Sequence, residues 1–168
     1  MPVDAGDFRS AMGRLASGVT VMTVHQPGLG DRGMTASAVC SVSLDPPLLL
    51  VCVKKGNAMD LALQGCTAFA LNMLDQDQVA LSNRFAGWGS LPADSVADLD
   101  VDRGPVSGAA WLPGAMARLD CALHQVLDGG DHHIYLGRVE AVDVSGDRDS
   151  LRPLLYFAGA YRSVGERL

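Results

Sequence analysis

The sequence has few charged and few aromatic residues, which make up 19% and 5% of its 168 residues. It has no uninterrupted apolar run of about 18 residues, so we expect no transmembrane helix. Basic residues form no run longer than Lys54-Lys55 and the net charge is -6, so nucleic acid is not expected as a partner. The first residues lack the basic-then-apolar pattern of an export signal, and we therefore expect a cytoplasmic location.

Short motifs of several enzyme and metal-binding classes are missing as well. The four cysteines form no Cys-x-x-Cys pair and match no common zinc spacing, which favours buried free thiols in a reducing cytosol. No G-x-x-x-x-G-K and no G-x-S-x-G occurs, and no strand–helix Rossmann unit follows the turn marked by Gly28, Gly30 and Gly33. We expect neither a P-loop nor a dinucleotide fold nor a serine hydrolase, and no metal.

Apolar periodicity predicts a mainly β chain with a few short helices. Strands do not alternate regularly with helices, which disfavours a doubly wound parallel sheet and favours an antiparallel barrel. The length fits one domain over 1–168, and the Gly-, Pro- and Asp-rich segment 87–113 has no clear assignment. Strands are predicted at 19–24, 34–44, 48–53, 67–74, 115–126, 133–144 and 153–157. Helices are predicted from a cap at Asp4 or Asp7 to Gly18, with Phe8, Met12 and Leu15 at helical spacing, over 58–63, and from Asp75 to Phe85.

The most informative stretch runs from Gly33 to Pro47 and is rich in small and hydroxyl side chains. Small residues on a strand let a flat ligand lie close to the backbone, where backbone groups and hydroxyls can bind its polar edge. A tight crossing of two strands requires small residues too. The pattern therefore indicates either a ligand site or a strand crossing.

The segment from Lys54 to Ala58 follows a buried strand and opens a helix at Asn57. A helix start offers unpaired N–H groups to a phosphate, and two lysines beside it strengthen that interpretation. An exposed charged loop with an asparagine cap is the alternative.

His132 and His133 are neighbours on a predicted strand, so their side chains point to opposite faces and do not suit one metal ion. One of them could orient a ligand, or the pair could simply end a hairpin. Phe85 could belong to a site or to the core, and the aromatic residues Tyr156, Phe157 and Tyr161 could stack on a ring or only pack.

Together, the order and spacing of six stretches resemble the short-chain flavin reductases, the reductase components of two-component flavin monooxygenases. The resemblance covers nearly the whole chain. The stretches are Phe8–Val21, Gly33–Ala38, Ser41–Pro47, Arg84–Gly87, Gly130–His132 and Pro153–Tyr156.

The resemblance implies an antiparallel, Greek-key-like split β-barrel, a homodimer, and FMN or FAD bound near the subunit boundary. It also implies that His132 acts on the nicotinamide side, with Tyr156, Phe157 and Gly159 nearby. The residues it assigns to the flavin are Thr35, Ala36, Ser37, Ala38, Val39, Ser41, Val42, Val53, Lys54, Lys55, Asn57, Ala58, Arg84 and Phe85.

By the same resemblance, the expected function is hydride transfer from NADH or NADPH to the flavin, with reduced flavin passed to a partner monooxygenase. An FMN-binding electron carrier, or a flavin-holding subunit without NAD(P)H turnover, is the alternative. A third is an interaction module that kept the barrel and lost the cofactor.

Overall fold

The computed structural model describes residues 2–87 and 95–165. Helices are few and short in this part of the chain, and each of the two 3-10 helices is three residues long. The α-helices are Ala5–Met12 (α1), Ala58–Leu63 (α2) and Val79–Phe85 (α3), and the 3-10 helices are Gln76–Gln78 and Arg148–Ser150.

Strands dominate the described residues. In chain order they are Ser17–Gly18 (β1), Thr20–Gln26 (β2), Gly30–Ala36 (β3), Val39–Leu44 (β4), Pro47–Lys54 (β5), Ala68–Met73 (β6), Asp102–Arg103 (β7), Ala110–Trp111 (β8), Ala117–Gly129 (β9), His132–Val144 (β10), Leu155–Phe157 (β11) and Ala160–Arg162 (β12).

Seven strands form one antiparallel sheet in the order β3-β2-β6-β9-β10-β5-β4. β10 lies between β9 and β5, and its register sets His132 opposite Lys54. Two smaller sheets, β1-β11-β12 and β7-β8, complete the fold. The predicted mainly β, antiparallel class is confirmed. In the described sheet β3 and β4 are the two edges, and no ladder joins them.

Several local predictions are confirmed. Asn57 caps α2 by accepting a hydrogen bond from the Asp60 amide at 2.8 Å. The continuous apolar run after Pro47 forms β5, and the two long segments after Ala115 form the hairpin β9–β10. In each case the local pattern agrees with the tertiary environment, because the core buries the apolar face that the pattern presents.

Several elements differ from the prediction, and the first helix ends at Met12 instead of reaching Gly18. Residues 34–44 were expected to form one strand, but Ser37 and Ala38 separate β3 from β4, which lie at opposite edges of the sheet. The helix expected from Asp75 to Phe85 is a 3-10 turn followed by α3. A final strand, β12, pairs with β11 and was not predicted. Of the unassigned segment 87–113, residues 88–94 lie outside the described residues.

β2 is buried on both faces and separates two core clusters. Met22 contributes to the cluster that contains Phe69 and α2, whereas Val21 contributes to the cluster that contains Phe85. Adjacent strand residues point to opposite faces, so one strand supplies both cores.

Apolar side chains also remain on the surface of the single chain. None of the residues of α1 is buried. The Phe8–Leu15 pattern that predicted this helix consists of exposed side chains, with Phe8 at 60% and Leu15 at 63% exposure. Leu44 of β4 is 96% exposed. No helix within residues 2–87 and 95–165 is long and apolar enough to span a membrane.

Candidate functional site

One large cavity, here called the main cavity, has a volume of about 950 Å³. That is the size of a site for a cofactor or a drug-sized ligand. Its lining combines apolar residues with the hydroxyl-bearing residues Ser17, Thr20, Ser37 and Ser41. The walls come from residues 12–20 except Arg14, from residues 37–41, from Leu50 and Cys52 of β5, from Met73, Leu74 and Met116, and from residues 153–159 except Leu155.

Pairing between the two ends of the chain builds one wall of the main cavity. β1 pairs with β11, with Ser17 opposite Tyr156, and the Ala158 amide donates to the Gly13 carbonyl oxygen at 2.8 Å. The β11–β12 turn uses positive φ angles of 50° at Ala158 and 78° at Gly159. Two successive positive φ angles match the type I′ geometry of tight hairpins, and the turn presents its backbone to the cavity.

A second, smaller cavity of about 200 Å³ lies between β3, α2 and α3. Gly33 and Met34 of β3, Asn57 and Ala58, and Phe85 contribute to its lining. Since residues 33–34 line the small cavity and residues 37–41 line the main one, a single stretch of chain connects the two.

Ten of the sequence-predicted site residues line one of these cavities. The residues that line the main cavity are Ser37, Ala38, Val39, Ser41, Tyr156, Phe157 and Gly159, and those that line the small cavity are Asn57, Ala58 and Phe85. Residues far apart in sequence therefore meet in two adjoining places.

Four other predicted flavin contacts lie on or next to the same strands but outside the cavity linings. Val53 is fully buried and Ala36 is 7% exposed, and both belong to the core. The Thr35 hydroxyl donates to the Ser82 carbonyl oxygen at 2.7 Å, so it already has an acceptor within the protein. Val42 is exposed on the edge strand β4.

Two of the three predicted cationic residues, Lys55 and Arg84, are held by ion pairs. Lys55 Nζ donates to Asp128 Oδ2 at 2.5 Å, and Lys54 ends β5 as an exposed residue. The Arg84 guanidinium is 6% exposed, pairs with both carboxylate oxygens of Asp98, and donates to the Ser95 carbonyl oxygen at 2.6 Å. Hydrogen bonding to Arg84 lowers the pKa of the Asp98 carboxyl. Neither lysine nor Arg84 lines a cavity.

His132 and His133 point away from each other, as expected for neighbours on a strand. His132 Nδ1 lies 2.8 Å from Asp131 Oδ1 at the exposed end of the β9–β10 hairpin. His133 Nδ1 lies 2.7 Å from Asp60 Oδ1. Among the described residues, no group of His, Cys, Asp and Glu side chains has the arrangement of a metal site.

Asp60 lies outside both cavity linings, and sequence reasoning missed its buried carboxylate. Its carboxylate is 1% exposed and accepts from His133, from the Tyr135 hydroxyl at 2.7 Å and from the Gly56 amide at 2.9 Å. Burial alone would raise the pKa of this carboxyl, but the three hydrogen bonds and the charge of His133 hold it below the ordinary value. The sequence did contain a signal for this buried carboxylate. Asp60 is an acidic residue in a short apolar helix, beside Met59, Ala62 and Leu63, which are buried.

The cavity wall from Met12 to Val19 and the two cysteines of the main cavity were also missed. All four cysteines are free thiols, but only Cys121 is buried; Cys40 is exposed on an edge strand, and Cys52 is half-buried. Burial raises the pKa of the Cys52 thiol, which keeps it neutral in the wall.

Comparison with known families and structures gives a consistent result. Residues 12–165 match the flavin reductase like domain. The chain belongs to this flavin reductase family. An NADH-dependent FAD reductase from Streptomyces globisporus is 38% identical over 159 residues, covering 94% of this chain and 84% of that protein. The reductase component of 4-hydroxyphenylacetate 3-monooxygenase from Thermus thermophilus is 39% identical over 157 residues, covering 94% and 95%.

Solved structures of the flavin reductase family share the fold. The NADH:FAD oxidoreductase of Streptomyces globisporus superposes with a TM-score of 0.87 at 35% identity, covering 99% of this chain and 96% of that one. The flavin reductase component of a bacterial two-component tryptophan halogenase gives a TM-score of 0.85 at 34% identity, covering 98% and 100%.

Proposed function

We propose that this flavin reductase family member transfers hydride from NADH or NADPH to FMN or FAD and supplies the reduced flavin to a partner monooxygenase. Family membership and the named activities of its relatives support the proposal. The observation that carries it is the main cavity, whose lining includes both Ser37–Ser41 and Tyr156–Gly159. These are the segments expected to bind flavin and nicotinamide.

The lining of the main cavity suits a flat, mainly apolar ring with a polar edge. Small residues such as Gly18, Ala38 and Gly159 leave room for a ring close to the backbone. Ser37 and Ser41, which also line the cavity, would offer hydroxyls to the polar edge of that ring. Ribityl and phosphate groups would extend along residues 34–37 toward the small cavity. There, Asn57, Ala58 and the nearby Lys54 and Lys55 are the proposed phosphate-binding residues.

A bound flavin supplies the hydride-accepting chemistry. The protein's own contribution is to bind and orient. Residues 37–41 would hold the ring of a bound flavin, and Tyr156, Phe157 and Gly159 would provide the surface for the nicotinamide, which would keep donor and acceptor next to each other. Tyr156, which is half-buried at this wall, would help to exclude water from the reacting faces.

His132 is the proposed catalytic residue on the nicotinamide side. It stands at the end of β10, opposite Lys54 of β5, and is oriented by Asp131 at 2.8 Å. Its imidazole can donate to a polar group of the dinucleotide and orient it. Hydride transfer itself requires no proton from the protein.

The proposed assembly is a homodimer, and the proposed fold is a split β-barrel. The exposed apolar side chains of α1 and of β4 support a subunit interface, because a soluble chain rarely leaves so many apolar groups in water. Residues 1–168 are proposed to form a single domain. A second copy of the chain would complete the walls of the main cavity. The proposed location is cytoplasmic.

An anaerobic titration tests the function. Protein reconstituted with FMN is mixed stepwise with NADH, and the visible flavin absorbance is followed. We expect stoichiometric bleaching, and reoxidation when air is admitted. Binding of FMN without bleaching would favour an electron carrier or flavin-holding subunit, and failure to bind FMN or FAD would overturn the flavin assignment altogether.

A further inference from the structure

Asp60 is a buried ionised group that the proposed hydride transfer does not use. It lies on α2, 1% exposed, and accepts hydrogen bonds from three donors. Two of them, His133 and Tyr135, stand on β10, and the third is the backbone amide of Gly56. One carboxylate therefore joins β10 to the turn that precedes α2.

The hydrogen bonding explains why a carboxylate is stable at this position. Burial of the Tyr135 hydroxyl and its hydrogen bond to Asp60 both raise the pKa of the tyrosine, so it stays a donor. With three donors, the ionised Asp60 carboxylate acts only as an acceptor. A buried carboxylate with fewer donors would be costly, which indicates that the three contacts form as a set.

Two further contacts hold the same turn against the same hairpin. The Lys55 amide donates to the Asp131 carbonyl oxygen at 3.0 Å, and Lys55 Nζ pairs with Asp128. Gly56, between Lys55 and Asn57, has a φ of +76° that other residues rarely adopt. The turn from Lys54 to Asn57 and the hairpin tip from Asp128 to His133 thus form one connected unit. The hydrogen bonds to Asp60 are buried or partly buried, whereas the Lys55–Asp128 pair is exposed.

We infer that Asp60 is a positioning residue that fixes the Lys54–Asn57 turn and the His132 end of the hairpin relative to each other. The inference rests on the proposed function, in which the turn holds the flavin phosphate and His132 meets the nicotinamide. Asp60 touches neither ligand. It acts through the Gly56 amide on one side and through His133, the neighbour of His132, on the other.

The chain offers a matched control in Asp120. It is fully buried and accepts from the Val106 and Ser107 amides, with Val106 N at 2.6 Å from Oδ2. It anchors residues 104–107, none of which lines either cavity. Asp60→Asn and Asp120→Asn therefore make the same chemical change at the same burial, and only the first touches the turn.

The experiment compares FMN with riboflavin, which lacks the phosphate, by fluorescence quenching in the parent and both variants. We expect Asp60→Asn to reduce the preference for FMN by about tenfold or more while riboflavin binding is kept, and Asp120→Asn to retain the preference. The KM for NADH should rise in Asp60→Asn. Hydrogen exchange of the Gly56 amide, measured without ligand, should accelerate in Asp60→Asn only.

A second pair of variants covers the case in which Asp60→Asn does not fold. His133→Ala removes one donor at a half-buried site, whereas His133→Asn keeps an N–H near the position of Nδ1. We expect His133→Ala to lose FMN preference and His133→Asn to restore it. Unchanged FMN preference in Asp60→Asn and in His133→Ala, in a parent that binds FMN, would overturn the positioning role alone. A parent that binds neither flavin would overturn the proposed function and this inference with it.

Discussion

The ring of Phe85 lies where a side chain on Gly33 would stand. A Cβ atom built on Gly33 would come within 2.4 Å of Phe85 Cε1, closer than carbon atoms approach. Phe85 is 3% exposed and closes the small cavity from the side of α3, so its ring position depends on the absence of a side chain on β3. This glycine is required for packing, since it has no positive φ angle.

Gly33→Ala should therefore displace Phe85 and disturb the small cavity. Overpacking of this kind costs roughly 1–3 kcal/mol in unfolding free energy, measured by chemical denaturation. We also expect weaker FMN binding, measured by fluorescence quenching. Gly137→Ala is the control, because its Cβ would meet Phe69 at the same 2.4 Å in the core cluster that contains α2, outside both cavities. Equal loss of FMN affinity in both variants would contradict a local effect of Gly33.

The two lysines provide a test of the phosphate site. Lys54→Met and Lys55→Met are made separately, and affinities for FMN and riboflavin are compared. At least one variant should lose most of the preference for FMN, about ten- to a hundredfold, with riboflavin binding unchanged. Salt should weaken the preference in the parent, because exposed charges are screened.

Arg138→Met is the charge-matched control for the lysine variants. Arg138 lies farther along β10, is half exposed, and pairs with Glu140 at 2.6 Å. Its loss changes the net charge by the same amount without touching the turn. If both lysine variants prefer FMN as strongly as the parent does, backbone amides near Asn57 hold the phosphate and the lysine assignment is wrong.

Local sequence patterns predicted the helices and strands that are determined by residues close together in the sequence. Asn57 followed by an apolar stretch located α2, and the apolar run after Pro47 located β5. The reversal from β3 to β4 was missed, because Ser37 and Ala38 carry none of the Gly, Pro or Asn signals that mark a turn.

Long-range pairing accounts for what the sequence did not reveal about the site. The wall of the main cavity depends on Ser17 lying opposite Tyr156, two residues from opposite ends of the chain. The role of Asp60 depends on β10 delivering His133 and Tyr135 to one carboxylate. No periodicity within a window of residues encodes either contact, whereas the resemblance to the family pointed to ten residues that line the two cavities.

His132→Ala tests the nicotinamide side. Loss of one hydrogen bond or ring contact of about 1 kcal/mol should raise the KM for NADH about fivefold, with FMN affinity nearly unchanged. Steady-state kinetics and direct FMN titration give the two quantities. Similar losses of NADH and FMN affinity would instead indicate that His132 supports the hairpin as a whole.

The exposed apolar residues lead to a prediction about assembly. Multi-angle light scattering should give twice the chain mass of 17.6 kDa at micromolar concentration. Phe8→Glu, on α1, should shift the protein toward monomer if α1 lies at the interface, while Leu29→Glu, at another exposed apolar position, should not. A fully active monomer in the parent protein would contradict the dimer.

The low pKa of Asp60 predicts how stability depends on acid. Its carboxyl titrates below the ordinary value of 3.8 in the folded chain, so the folded state binds the proton less readily than the unfolded state. The resulting stabilisation is present above the unfolded pKa and is lost as pH falls through the folded pKa.

Asp60→Asn lacks this contribution at every pH. The parent should therefore exceed the variant in unfolding free energy by about 1.5–3 kcal/mol at pH 5, and the difference should shrink toward pH 3. Tyr135→Phe, which keeps the carboxylate but removes one donor, should show a smaller difference with the same trend. Urea unfolding at several pH values gives the unfolding free energy of all three proteins. If the difference between the parent and Asp60→Asn stays constant down to pH 3, the three hydrogen bonds do not favour the ionised form of Asp60.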